Sequence, residues 1–309
     1  MEKTIDIICI GEVLIDFIGH EINTSLSETK NYHRFLGGSP TNVAVNAARI
    51  GLKSILVASC GKDGLGDYII NELKTNSVNT SAIIQLENIP TSVVFVSKST
   101  TTPEFIAYRE ADCQIQEHQI DLKTLQQAKI FHTTCFALSR NPAQQTILKG
   151  AKLAKSLGLI ISIDLNFSEK IWTNREEAKS VIKQYLSHNP IVKVSNDDCL
   201  RLFGEQKSES EIFKYFHDLG APTICLTKGE YGVVLSDILE GIIRHDALKI
   251  EEIKDTTGAG DAFWTGFLYA QLHHKNFDET ITIAQKLAAI KLQNVGRLPE
   301  NINLIDELL

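Results

Sequence analysis

The chain has 309 residues, 43% of them hydrophobic, and a formal net charge of −7. That length holds one large α/β domain or two ordinary ones, while the acidic balance argues against a partner bound along a nucleic-acid backbone. No apolar run approaches membrane-spanning length. Six cysteines (Cys9, Cys60, Cys113, Cys135, Cys199 and Cys225) are scattered without a C-x-x-C pair, which suits buried thiols in a reducing compartment. With no basic leader or apolar signal core in view, a cytoplasmic protein is expected.

The run Thr4 to Ile10, apolar and rich in β-branched residues, predicts a buried parallel strand ending at Gly11-Glu12. An extended segment follows from Val13 to Ile18 and carries Asp16, a solvent-facing edge residue or a ligand contact. Gly37-Gly38-Ser39-Pro40-Thr41-Asn42 then leads into a small-residue helix, with Ser39 as expected N-cap, Pro40 at the first position and Gly51 at the stop. Taken alone, Asn42 reads as a solvated first-turn residue. Gly61-Lys62-Asp63-Gly64-Leu65-Gly66 predicts a structural loop. The runs Thr91 to Val96 and Glu104 to Arg109 flank a polar tip, Ser97 to Pro103, as in a hairpin, with Arg109 an exposed charge by default.

From about residue 120 strand and helix patterns alternate, with strands at Lys129–Thr133, Leu159–Asp164, Ile191–Ser195 and Thr223–Thr227 and a helix over Pro142 to Leu157. This predicts a mostly parallel sheet with helices on both faces, its ligands gathered at the strands' carboxyl ends. Polar clusters fall at those ends: Asp164/Asn166, Ser195/Asp198, Thr227/Gly229 and Asp255–Asp261. Asp198 is a helix-capping acid or a metal contact; Thr227-Lys228-Gly229-Glu230-Tyr231-Gly232 is a hairpin turn or a bed for a nucleotide. A further strand-like run, Ile242 to Ile250, precedes Asp255-Thr256-Thr257-Gly258-Ala259-Gly260-Asp261 and the apolar helix pattern Ala262 to Leu272. Glycines there let backbone approach a ligand closely, and the free amides of a helix N-terminus suit an anion. Asp261 is then either a favourable first-turn acid or a base for a group attacking that anion. There is no G-x-x-x-x-G-K-[ST] and no strand-linked G-x-G-x-x-G.

The seven residues 255–261 resemble the C-terminal signature of the ribokinase-like carbohydrate kinases, the PfkB family, and the likeness runs along nearly the whole chain. It implies a ribokinase-like three-layer αβα sandwich, one domain over 1–309, with a small β-strand lid from segments at about 12–36 and 88–112. Gly258, Ala259 and Gly260 would form the anion hole and Asp261 the base. Asp16, Gly38, Asn42 and Asn166 would contact the sugar, and Arg109, by likeness to fructokinases, would lie near it. Ser195, Thr227, Gly229, Gly232 and Asn294 would line the nucleotide, and Asp198 would organise Mg²⁺ through water. Asp255 and Thr257 match positions that hold a monovalent cation, such as K⁺, in many relatives. The implied activity is transfer of the ATP γ-phosphoryl group to a primary hydroxyl of a small sugar.

Fructose is the expected substrate, from residues 11–17 and 37–44. A keto-deoxy sugar acid (5-dehydro-2-deoxygluconate or 2-keto-3-deoxygluconate) is the alternative. Ser168 stands where those kinases usually carry Arg, and Arg34, Arg109 and Lys98 are the cations available for a carboxylate. A non-catalytic sugar or nucleotide sensor on the same scaffold is the alternative from another class. A homodimer through the lid is expected because pairing would cover its sheet edges.

Overall fold

The computed structural model describes residues 3–98, 104–294 and 296–299. In chain order the elements are β1 (Ile5–Ile10), β2 (Leu14–Ile22), β3 (Tyr32–Gly37), α1 (Ser39–Arg49), β4 (Ser54–Gly61), α2 (Gly64–Thr75), β5 (Ile83–Leu86), β6 (Val93–Lys98) and β7 (Phe105–Tyr108). There follow α3 (Leu122–Gln126), β8 (Ala128–Thr134), α4 (Ala143–Ser156), β9 (Ile160–Asp164), α5 (Arg175–Leu186), β10 (Ile191–Ser195), α6 (Asn196–Phe203) and α7 (Glu209–Asp218). The chain then runs through β11 (Thr223–Thr227), β12 (Val233–Asp237), β13 (Gly241–His245), α8 (Ala259–Leu272) and α9 (Phe277–Leu292).

Nine strands make one sheet in the order β13-β12-β11-β10-β9-β8-β1-β4-β5. Pairing is parallel from β5 to β11 and antiparallel for β12 and β13. Strand alternation divides the core between the two faces. Ile8 and Ile10 of β1 join Ile147 of α4 and Ile182 of α5 in one buried cluster. Ile7 and Cys9, pointing the other way, join Val43 of α1, Ile69 of α2, Phe263 of α8 and Ile281 of α9. Strands buried on both faces read as the continuous apolar runs seen in the sequence. All six cysteines are free and buried.

The second sheet has the order β3-β2-β6-β7, and β6 with β7 forms the expected hairpin. Residues 99–103 of its tip lie outside the described residues. Two expectations need correction. The run from Ile242 to Ile250 is a strand only as far as His245, and it is the antiparallel edge of the large sheet. Having a single neighbour, it frays after His245, and Leu248 and Ile253 are left exposed. The turn at 258–261 therefore comes from an irregular segment and not from a parallel strand end. Ser39 is not the N-cap of α1: Gly38 takes that position at φ +102°, and Ser39 is the first helical residue. The Glu12 carboxylate accepts the Ser39 amide at 3.1 Å in place of a local cap.

Candidate active site

The N-terminus of α8 meets the N-terminus of α1 across the edge of the two sheets. Gly258 sits in the left-handed region at φ +75°, which turns the chain into α8. The Ala259 amide makes a long bond to the Thr256 carbonyl at 3.3 Å. The Gly258 and Gly260 amides meet no acceptor among the described residues, so two of the three expected donors are free. Asp261, in the first turn, accepts from Ser39 Oγ at 2.6 Å and from Asn42 Nδ2 at 2.8 Å. Releasing Ser39 from capping is what lets its hydroxyl reach this carboxylate.

Asp16, on β2, faces the same space and makes no hydrogen bond among the described residues. A side chain on Gly37 would collide with its carboxylate, and one on Gly38 with the Glu12 carbonyl. Burial lifts Asp16 to about 7, and the nearby charge of Asp261 adds to the rise. Burial likewise lifts Asp261 to about 6, opposed by its bonds to Ser39 and Asn42 and helped by the charge of Asp164. Glu12, pushed to about 8 by burial, braces the floor through Ser39 and through Thr134 Oγ1 at 3.0 Å.

Beyond Gly260 lies a buried ion pair that the sequence pass overlooked. Lys193 of β10, 6% exposed, donates to Asp164 Oδ2 at 2.6 Å. Its ammonium lies 3.4 Å from the place a side chain on Gly260 would take. Burial disfavours its charge, but Asp164 and Asp198 more than offset that. The signal was present: a lysine inside the apolar strand Ile-Val-Lys-Val-Ser needs a buried partner.

Ser195 and Asp198 cap α6 reciprocally. The Asp198 amide donates to Ser195 Oγ, while Ser195 N and Oγ donate to Asp198 Oδ2 at 3.0 and 2.6 Å. Asp198 is thus the helix-capping acid, and among the described residues its Oδ1 has only Arg201, 3.7 Å away. Asn166 accepts from the Phe136 amide at 3.3 Å and keeps its own amide group available. Thr227 to Gly232 is the reversal between β11 and β12, closed by Lys228 N to Gly232 O at 2.8 Å, with Gly229 and Gly232 at positive φ. Asn294 turns back to the Ile290 carbonyl at 2.8 Å, and its neighbour Val295 lies outside the described residues.

Arg109 is corrected from exposed to buried, at 5% exposure. Asp112 binds its Nε and Nη2 at 2.9 and 2.6 Å, Ser139 takes Nη1, and the guanidinium lies 4.0 Å over the Phe136 ring. Asp112, three residues on, supplies the partner that a buried guanidinium requires. A cavity of about 250 Å³ lies beside it, between β7 and the segment after Asn166; Arg109, Arg140 and Lys170 line it without a carboxylate.

Asp255 and Thr257, expected to hold a monovalent cation, bond to each other and to the chain around them. Asp255 Oδ1 accepts the Thr257 amide at 2.9 Å, and Oδ2 accepts Gly296 N at 3.1 Å and Lys291 Nζ at 3.0 Å. Against burial, which raises it, these bonds hold Asp255 below the usual carboxylate range. One of its oxygens already carries an ammonium, whose like charge opposes a second cation there.

Against this geometry, the model of the pfkB family carbohydrate kinases matches residues 4–301. The chain belongs to that family. A protein of Thermoanaerobacterium thermosaccharolyticum named ATP-dependent 6-phosphofructokinase is 34% identical over 96% of this chain and 91% of its own. The structure of Halothermothrix orenii fructokinase superposes with a TM-score of 0.80 at 37% identity, covering 91% of this chain and 96% of that one. An uncharacterized sugar kinase of Pyrococcus horikoshii, solved with ATP, gives 0.86 at 30% identity over 98% and 100%. The kinase thus has the ribokinase-like α/β fold, is an ATP-dependent sugar kinase, and uses the small second sheet that fold carries. Among the described residues no helix is long and apolar enough to cross a membrane.

Proposed function

We propose that this kinase transfers the γ-phosphoryl group of ATP to a primary hydroxyl of fructose, with Asp261 as base. The observation carrying this is the arrangement around Asp261. The carboxylate is fixed by Ser39 and Asn42, faces an unpaired Asp16, and stands one residue from the free Gly260 amide. Asp16, Asn42 and Asn166 would orient the sugar. Its hydroxyl oxygen bonds the γ-phosphorus as the hydroxyl proton passes to Asp261, and the bond from phosphorus to the β-phosphate oxygen breaks, releasing ADP. The Gly258 and Gly260 amides, with Lys193 behind them, would meet the charge of the moving phosphoryl group. Asp198 Oδ1 would hold magnesium carried with ATP through water, and the ion would supply charge neutralisation on the phosphates.

Thr227, Gly229, Gly232 and Asn294 would border the nucleotide, and the four-stranded sheet, segments 12–36 and 88–112 of one domain, would close over the sugar and exclude water. Two kinases would pair through this lid, whose edge residues Phe35, Ile106 and Tyr108 are exposed. The buried free thiols favour the cytoplasm.

One observation favours a second reading. Arg109, Arg140 and Lys170 around one cavity suit a sugar with an acidic end, a sugar phosphate or a keto-deoxy sugar acid. Lys170, which donates to the Phe105 carbonyl of β7 at 3.3 Å, would stand in for the arginine absent at Ser168. ATP consumption with fructose, fructose 6-phosphate, ribose, glucose and both keto-deoxy acids decides among these. The highest kcat/KM on fructose supports the main reading. A preference of tenfold or more for an acidic sugar, about 1.4 kcal/mol, replaces it with the second, and turnover of none of them rejects both.

A further inference from the structure

Lys291, near the end of α9, is 4% exposed, a depth at which an ammonium needs anionic and carbonyl company. It finds both. Nζ donates to Asp255 Oδ2 at 3.0 Å and reaches the Asn294 backbone carbonyl at 3.4 Å. Its Cε lies 3.8 Å from the position a side chain on Gly258 would occupy, directly under the turn that opens α8. A carboxylate oxygen and a backbone carbonyl beneath a loop of outward-facing amides are the donor types a weakly hydrated monovalent ion selects. Here a side chain of the same charge, fixed to the adjoining helix, holds that place. Both contacts of the Asp255 carboxylate other than Lys291 are backbone amides of the turn and of the segment after α9, Thr257 N and Gly296 N. The ion pair therefore ties the phosphoryl-binding turn to α9.

We propose that the Lys291 ammonium is a tethered replacement for a bound monovalent cation, so that the kinase holds its phosphoryl-binding turn in place without potassium. Lys291 acts as a positioning residue through Asp255 and the Gly258 turn. An ion in solution is lost when its concentration falls, whereas a tethered ammonium is always present. Turnover should consequently be indifferent to which monovalent salt is supplied.

The test compares the native kinase, Lys291→Ala and Lys291→Met in choline chloride and in potassium or ammonium chloride at equal ionic strength, reading kcat and thermal unfolding. The unfolding arm needs no sugar, so it stands whichever substrate proves correct. The native protein should change by less than about twofold in kcat and not at all in Tm between the salts. Lys291→Ala, which leaves an anionic hole, should lose at least about tenfold in kcat, as expected when one partner of a buried pair is removed, and should regain most of it in potassium or ammonium with a rise in Tm. Lys291→Met fills the same space without charge and should stay low in every salt. Strong potassium activation of the native kinase overturns the proposal. So does a folded Lys291→Ala that no cation restores, or a Lys291→Met as active as the native protein. If Lys291→Ala does not fold, salt-independence of the native kinase together with loss in a folded Lys291→Met decides in favour, and the reverse decides against.

Discussion

Asp261 and Asp16 are two carboxylates in one cleft, both lifted by burial, to about 6 and about 7. A base must be ionised to accept a proton, so activity should fall as pH drops through about 6. Substrate affinity should change nearer 7, where Asp16 gains or loses its charge. A pH series of kcat and kcat/KM from pH 5 to 9 checks this, and a flat acid limb in kcat would contradict it. The same shifts have a sign for stability. A carboxyl group raised in the folded state binds protons more tightly there than when unfolded, so its stability contribution is greatest below the unfolded value and declines as pH rises through the folded one. Asp16→Asn removes that decline. The variant should unfold at a higher temperature than the native kinase at pH 8, with the difference shrinking towards pH 4, while KM for the sugar rises. Charges held for binding at the expense of stability are common at active sites. Several partners at this scale escaped the sequence: Lys193 for Asp164, Lys291 for Asp255, and Ser39 for Asp261, 222 positions apart in the chain. Residue identity showed that a buried lysine needs an acid but not which acid, because the choice is made by packing of distant elements.

At the scale of elements, the decisive one is α8, anchored at two points. Its N-terminus starts at Gly258, and Trp264, fully buried, donates Nε1 to Ser162 Oγ of the neighbouring strand β9 at 2.9 Å. Gly258→Ala meets ordinary contacts at its new methyl group, so its cost comes from the positive φ, about 1–2 kcal/mol. It should lower Tm accordingly and lower kcat more than KM, because the amides it tilts are those facing the phosphoryl group. Equal kcat in the variant would show that those amides do not act. Parallel strands and their helices were legible because burial on both faces leaves long apolar runs. The end of β13 was not, since an edge strand with one neighbour carries the same alternating residues past the point where pairing stops. The cap of α1 was misplaced for a related reason. Glu12 supplies the capping oxygen from 27 positions upstream, and a local pattern points to Ser39 instead.

For the whole molecule, the two sheets meet where Asp16 from the smaller one faces Asp261, in the first turn of the helix α8 that packs on the larger. Under the proposed function the four-stranded sheet would cover the site, and Ile106 and Tyr108, exposed on its edge strand β7, would be a place for a second copy. Light scattering should give twice the mass of the 34.3 kDa chain, and Ile106→Lys, a charge on an edge strand, should shift the protein towards monomer. A monomer at all concentrations would remove the pairing. Family and fold were legible across the chain because the signature at 255–261 and the strand-end clusters agree with each other. The sugar was not, since Arg109 turned inward onto Asp112 and the cavity's other cations, Arg140 and Lys170, come from two separate loops. The most direct check on the account is kcat for Asp261→Asn with ATP and the preferred sugar, measured on protein that unfolds no earlier than the native kinase. Loss of base assistance predicts a fall of roughly 10²- to 10⁴-fold with KM for ATP little altered; a kcat within a few-fold of native would contradict it.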